Sequence, residues 1–375
     1  MEVEPRKKSR KTTTNRPGQI AGEPPKRTSS FGIHRLRRLQ RMVDNFPLVS
    51  LVCQRHVEGV HPKMIIPEVK KKFRVEMKRE DPGWVVRWAA EEGWLVFRPP
   101  RHDKLRQQIE ELCPTLGDIQ VIETMEVGVI AHGAARMLMR MLRSFDGHKD
   151  TVHVGVSGGH TMRALMRTLP GEMVHVSGGM PRTVHFHALA AGFDPDDPST
   201  NPNAFVGLFD NILFPTEIRF TGLSAPAIVS PDTFEKLKTL EDIQDAFQSV
   251  QDIDIFVTAG TSWHKCSVLQ KRLGEEDQAT LERAGVVGDL LWRPISRQGP
   301  IESEVERRAF TLVELQELIK FVRAGKQVLV TLAPCGICGA LKGGLLCPIL
   351  TQKIATHLVV DAGSAGQYVA EMSRS

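Results

Sequence analysis

The stretch that decides the fold is Thr151-Val152-His153-Val154-Gly155-Val156-Ser157-Gly158-Gly159-His160-Thr161-Met162-Arg163-Ala164-Leu165. Its first six residues alternate in the manner of a strand. Gly158 and Gly159 then supply a tight turn, and Leu165, Met166 and Leu169 recur at helical spacing behind Thr161. A glycine turn between a strand and a helix lets backbone N–H groups approach an anion. Ser157 and Thr161 add hydroxyls, and the helix N-terminus adds partial positive charge. Ser157, Gly158, Gly159, His160 and Thr161 therefore form a candidate phosphate cradle, with a plain strand-to-helix turn as the bland alternative. The loop is neither GxxxxGK[ST] nor GxGxxG, so nucleotide-binding fingerprints are not matched.

Outward from this loop, the order of the chain is strand, helix, strand, with glycines after the strands. Strands are predicted near 119–122, 152–156, 173–177, 227–229, 254–258, 328–332 and 357–361. Helices are predicted near 127–143, 161–169, 183–191, 232–238, 241–248, 277–284 and 312–322. This alternation implies an α/β, Rossmann-like doubly wound parallel sheet over residues 117–375, with ligands at the carboxyl ends of the strands. The polar stretch from Asp194 to Pro202 is expected to be an exposed loop, and residues 101–116, with Leu105, Ile109 and Leu112, an amphipathic linker helix.

The first third of the chain is different. Residues 1–45 hold twelve Lys or Arg against four acids, a net of +8, whereas all 375 residues sum to +5. Residues 1–34 are too polar to bury a core and are expected to be a disordered basic arm of the kind that tracks nucleic-acid phosphates, or else a solubilising tail. Residues 35–100 read as a small helical domain. One helix runs through Leu48, Leu51, Val52 and Val57. A second is led by Pro67, and a third starts at Asp81-Pro82 and stops at Gly93; Trp94-Leu95-Val96-Phe97 follows as a short strand. That order fits a helix-turn-helix with a wing. Its basic face would be Lys63, Lys70, Lys71, Lys72, Arg74, Lys78, Arg79 and Arg87, and the partner duplex DNA; a solvated lysine-rich surface is the alternative.

At 41% hydrophobic and 25% charged residues the composition is that of a soluble globular protein. No apolar run reaches membrane-spanning length, and the basic N-terminus lacks the apolar core of a secretory signal, so a cytoplasmic protein without a membrane partner is expected. The six cysteines are scattered and expected to be reduced.

The chain resembles the SorC-type transcriptional regulators with a sugar-binding effector domain, over roughly residues 45–370. The residues that carry the resemblance are VGVSGGHTMRAL at 154–165, Val176-Ser177-Gly178-Gly179, Leu223-Ser224-Ala225-Pro226-Ala227-Ile228-Val229, and Val257-Thr258-Ala259-Gly260-Thr261-Ser262. They continue with Ser267-Val268-Leu269, Glu275-Glu276-Asp277, Ala284-Gly285-Val286-Val287-Gly288-Asp289, Leu341-Lys342-Gly343-Gly344-Leu345-Leu346 and His357-Leu358-Val359-Val360-Asp361. The resemblance implies a regulator whose DNA affinity responds to a phosphorylated sugar, working as a homodimer or homotetramer. It implies phosphate on Ser157 to Thr161 and sugar hydroxyls toward Gly178, Gly179, Gly260 and Asp361. There are departures. The helix-turn-helix is stretched by about two residues around Arg74–Asp81 and lacks the Gln-x-x-Ile-Ala opening. A lysine after a Gly-Gly turn is replaced by Ala333-Pro334-Cys335-Gly336-Ile337-Cys338, an Asp-Glu pair by Asp361-Ala362, and an Asn-Ala-Asn by Thr183-Val184-His185-Phe186-His187.

Two further features invite chemistry. Cys335-Gly336-Ile337-Cys338 would need two more ligands to hold zinc, with Cys347 and His357 in range; buried thiols at a strand end are the simpler reading. His153, His160, His175, His185 and His187 cluster in sequence near the expected pocket, where packing or solvent roles are the default. No cofactor, catalytic residue or metal-ligand set is assigned. Phosphosugar isomerases and deaminases share the Ser-Gly-Gly-x-Thr loop, so an enzyme of that type is one rival reading; a ligand-free DNA-binding scaffold is another.

Overall fold

The computed structural model describes residues 39–91, 95, 100–174, 178–192, 194, 196–210, 214–263, 267–302 and 305–374. The basic arm, most of the Trp94–Phe97 strand, and Val176-Ser177 lie outside the described residues. Two units divide between Leu95 and Val96.

In the N-terminal unit, α1 (Phe46–Val57), α2 (Pro62–Phe73) and α3 (Asp81–Glu91) enclose a core of Leu48, Val49, Val52, Ile65, Val69, Val85 and Ala89. Caps set the first two starts. The Asn45 side chain accepts from the Leu48 N–H, and His61 Nδ1 accepts from the Lys63 N–H with Pro62 at the first helical position. The Asp81 carboxylate accepts from the Lys78 N–H at 2.6 Å. The second helix thus begins at Pro62, five residues before the expected Pro67, because the His61-Pro62 cap supplies a better start than an internal proline. It ends at Arg74, whose φ of 57° breaks the helix. Arg55 clamps α1 to α2 through a two-pronged pair with Glu68 at 2.8 and 2.9 Å.

The C-terminal unit is an α/β/α sandwich. After α4 (Asp103–Leu112) come β1 (Asp118–Ile122), α5 (Val127–Arg143), β2 (Thr151–Val156), α6 (His160–Val174), β3 (Thr183–Ala188) and β4 (Glu217–Thr221). β5 (Ile228–Val229), α7 (Pro231–Lys238), α8 (Glu241–Ser249), β6 (Ile255–Ser262), α9 (Val268–Arg272) and α10 (Glu275–Arg283) follow. The chain closes with β7 (Val286–Leu290), β8 (Arg293–Ser296), β9 (Gly299–Pro300), β10 (Arg308–Ala309), α11 (Leu315–Arg323), β11 (Gln327–Leu332), α12 (Gly343–Thr351), β12 (His357–Asp361) and α13 (Ala362–Met372).

The main sheet runs β1-β12-β11-β6-β2-β3-β4, every neighbouring pair parallel. Helices α5 and α6 cover one face through Ile130, Leu138, Leu142, Met162, Leu165 and Leu169. The other face packs on α7, α8, α11, α12 and α13, and on Ile109 of α4. The order in which strands are added reverses between β2, from which the chain proceeds outward to β3, and β6, from which it proceeds the other way to β11. That is the switch point where an open parallel sheet leaves a crevice. β6 continues past the sheet to pair antiparallel with β7, starting a β7-β8-β9 ribbon.

Four expectations are corrected. Residues 173–177 were expected as a strand, but α6 carries on through Pro170 to Val174, and residues 183–191 were expected as a helix, but Thr183–Ala188 is β3. β3 lies between β2 and β4 with Val184 and Phe186 on the α5–α6 side and Thr183, His185 and His187 on the other, so period-two alternation and the β-branched Thr183-Val184 start were the better guide than the helical reading. The linker helix is part of the C-terminal unit: Ile109 is fully buried in its core and Leu105 packs beside it. The Asp194–Pro202 stretch is no simple exposed loop, since Thr200 is fully buried and its carbonyl accepts the Gly159 N–H at 2.9 Å.

Candidate functional site

A cavity of about 350 Å³ sits at the carboxyl ends of β2, β6 and β11. Ser157, Gly158, Gly159, His160, Thr161 and Gly260 all line it, so six of the nine expected effector residues meet there. The first bond of α6 runs from the Arg163 N–H to the Gly159 carbonyl, which leaves the N–H groups of His160, Thr161 and Met162 without partners inside the helix. The Gly159 amide itself is held by Thr200 and the Ser157 amide by Val257. Those two bonds set the shape of the loop, while the helix start supplies the donors. Gly159 has a φ of 110°, a conformation that only glycine adopts without strain. The Ser157 hydroxyl is buried without a hydrogen-bond partner.

The same cavity is lined by Lys271 and Lys342, by Asp194 and Asp289, and by apolar Leu291, Trp292 and Ile337. Two lysines, two aspartates and the start of α6 around one cavity suit a ligand carrying both an anionic group and hydroxyls. Leu291 and Trp292 form the β7–β8 turn with φ of 55° and 58°, yet both are almost fully buried. Bulky residues adopt this left-handed region at a cost of about 1–3 kcal/mol each. Here the strained turn aims two large side chains at the cavity.

Residues 116–367 match the family model described as "Putative sugar-binding domain". The chain belongs to this sugar-binding-domain family. Solved structures share the fold. A DeoR family transcriptional regulator from Listeria monocytogenes is 18% identical, with 70% of this chain and 98% of that one covered at a TM-score of 0.55. A transcriptional regulator from Streptococcus pneumoniae TIGR4 is also 18% identical, covering 72% and 97% at 0.55. The full-length sorbitol operon regulator SorC from Klebsiella pneumoniae is 14% identical and covers 87% and 99% at 0.60. No curated protein matches the sequence.

Within the sugar-binding domain, Asp289 is the most perturbed acid of the cavity. Burial lifts its pKa to about 7, against the pull of a 2.9 Å hydrogen bond from the Ser267 hydroxyl and the charge of Lys342. Asp361 stands behind the cavity rather than on its wall. It caps α13 by accepting the Ser364 N–H at 2.7 Å, and the Ser364 hydroxyl accepts the Lys342 N–H at 2.8 Å. Asp361 therefore positions the segment that carries Lys342, and burial raises its pKa as well. Gly178 and Gly179 lie elsewhere. They fall in the connection from α6 into the amino end of β3, where a Cβ on Gly179 would meet the Arg143 guanidinium at 3.3 Å. The misassigned strand at 173–177 had put them at the wrong edge of the sheet.

Lys342 was legible in the sequence only as part of a matching segment, Leu341-Lys342-Gly343-Gly344. A Cβ on Gly343 would meet Gln367 Cβ at 2.5 Å and the Ser364 carbonyl at 2.9 Å, so the glycine permits the contact with α13 that brings Lys342 inward. The cation expected just after β11 is thus supplied further along the same connection, at the start of α12. Cys335 also lines the cavity, half-buried, and Cys338 is exposed, so neither is the buried thiol expected.

In the N-terminal unit, Lys63, Lys70, Lys71 and Lys72 are exposed on α2, Arg74, Lys78 and Arg79 in the following turn, and Arg87 on α3. Lys70 is paired with Glu76 at 2.8 Å. The turn from Arg74 to Glu80 is longer than the three or four residues usual in a helix-turn-helix, and Met77 pins it to the core.

Proposed function

We propose that the protein is a cytoplasmic DNA-binding transcriptional regulator whose sugar-binding domain takes a phosphorylated sugar and transmits its presence to DNA affinity. The observation that carries this reading is the 350 Å³ cavity, where the start of α6 and the Ser157 hydroxyl face Lys342 and Asp289 across the switch point of the sheet. The phosphate docks on Ser157, Gly158, His160 and Thr161, with Lys342 and Lys271 balancing its charge. The sugar hydroxyls turn to Asp289 and Asp194. The basic residues of α2, the following turn and Arg87 contact duplex DNA, with α3 as the base-reading helix, and two or four copies pair to read symmetric half-sites. Effector binding shifts DNA affinity by as much as it favours one conformation over the other.

A thermal-shift series with phosphorylated pentoses and hexoses, their unphosphorylated forms and inorganic phosphate tests the effector. Turnover is assayed in parallel, and labelled duplex is titrated at several salt concentrations. Stabilisation by the phosphorylated sugars alone, without turnover, and salt-steep DNA binding are expected. Turnover would make it an isomerase-like enzyme, and DNA binding with no ligand response a ligand-free scaffold.

A further inference from the structure

Away from this cavity, three histidines converge on the sheet face opposite α5 and α6. Their neighbours Val152, Val154, Val184 and Phe186 point to the α5–α6 side, so the alternation of the strands turns His153, His185 and His187 to the other. In the parallel register His153 lies beside His185, and His187 lies beside Gly155, which offers no side chain. The His185 and His187 rings stand 4.2 Å apart between centroids, and His153 lies 5.1 Å from each. His153 Nδ1 approaches His187 Nε2 to 2.9 Å, and one ring nitrogen from each of the three lies within 4.8 Å of the others. His187 is buried, while His153 and His185 are half-exposed and give access from solvent.

We propose that His153, His185 and His187 form a binding site for one divalent transition-metal ion of the zinc class, bridging β2 and β3. Three imidazoles are the donor set that suits zinc, copper or nickel, whereas magnesium and calcium want oxygen. Zinc–nitrogen bonds of about 2.0–2.1 Å in a tetrahedron place donor atoms about 3.3 Å apart. The His153–His187 contact opens by a few tenths of an ångström to reach this, and the His185 ring swings inward. The fourth position falls to solvent. In the neutral pair one facing nitrogen donates to the other, so ligation moves that hydrogen to the same ring's other nitrogen and releases no net proton. His185 Nε2 is 2.8 Å from the Thr221 hydroxyl on β4, an outer-shell partner of the kind that orients a ligating ring. All three ligands stand on adjacent, fully paired strands, so little ordering is needed when the ion binds.

The experiment uses the full chain, stripped with chelator and titrated with Zn²⁺ against a chromophoric competitor, then loaded with Co²⁺. One equivalent of Zn²⁺ is expected, with a Co²⁺ spectrum showing visible d–d bands and none of the strong near-ultraviolet charge transfer that thiolate ligands give. His153→Gln and His185→Gln should each weaken binding by more than about 100-fold, beyond the usual outer-shell effect. Cys335→Ser/Cys338→Ser should leave it unchanged. Absence of a stoichiometric site would overturn the proposal. So would binding that survives both histidine changes or disappears with the cysteines. The Co²⁺ spectrum of the unmodified chain identifies the donor class even if a histidine variant folds poorly.

Discussion

Gly158→Asp tests the anion site with least damage to the fold. Gly158 lines the cavity and, unlike Gly159, does not have a positive φ, so a side chain there projects toward the ligand space without left-handed backbone strain. At a separation of about 4 Å, two unit charges repel by about 4 kcal/mol at an effective dielectric of 20 and by about 1 kcal/mol in bulk water. A phosphate monoester carries close to two negative charges at pH 7, which doubles both limits to about 8 and about 2 kcal/mol. Even the lower figure weakens binding about 30-fold. Gly158→Ala adds the Cβ without the charge and is expected to bind within a few-fold of the unmodified protein. Gly159→Asp is the poorer probe, because its φ of 110° adds backbone strain of about 1–3 kcal/mol that would confuse lost binding with lost stability. Calorimetric titration with the phosphorylated sugar that stabilises best, alongside urea unfolding of each variant, measures both quantities. If Gly158→Asp keeps the affinity of the parent while folding normally, the phosphate does not sit at the start of α6.

Other outcomes follow from the same structure. Asp289, held at a pKa near 7, binds a proton in the folded state that the unfolded chain has lost above about pH 4. Its contribution is therefore fully present below pH 4 and lost as pH rises through 7, so Asp289→Asn should gain up to about 4 kcal/mol over the parent at pH 8 and nothing at pH 4, read by urea unfolding. Lys342→Met should weaken phosphorylated-sugar binding at least tenfold, with a smaller effect on the unphosphorylated sugar; equal losses for both would assign Lys342 to the fold instead. Leu48→Ala, at a fully buried position, should cost the N-terminal unit about 2–5 kcal/mol and abolish DNA binding while ligand-induced stabilisation of the sugar-binding domain persists, seen by calorimetry as an early separate transition. Arg87→Ala on α3 should flatten sequence preference, whereas Lys71→Ala on α2 should lower affinity evenly and reduce the salt slope by about one; the reverse pattern would exchange the roles of the two helices.

The sequence by itself determined much of this architecture. The strand–glycine–helix passage from Thr151 to Leu169 stood where expected, because alternation, a positive-φ glycine and helical spacing are all local properties. The same holds for α5, β6, β11 and β12, whose bounds lie close to their sequence expectations. Residues 183–188 were misread although Thr183, His185 and His187 alternate with Val184 and Phe186, because a six-residue strand is too short for its period to outweigh a helical reading of the longer 183–191 window, and Gly178 and Gly179 were misplaced with them. Tertiary structure alone decided the rest of the pocket. Ser157 and Lys342 follow parallel strands that end at one edge, and Asp289 meets them only because β7 folds back antiparallel on the end of β6. The abnormal acidity of Asp289 arises from burial, which no local pattern encodes. The His153–His185–His187 cluster likewise needs the β2–β3 register to turn three separated imidazoles toward one point. Local preferences are written residue by residue, whereas a site depends on distances between residues that only folding brings within reach.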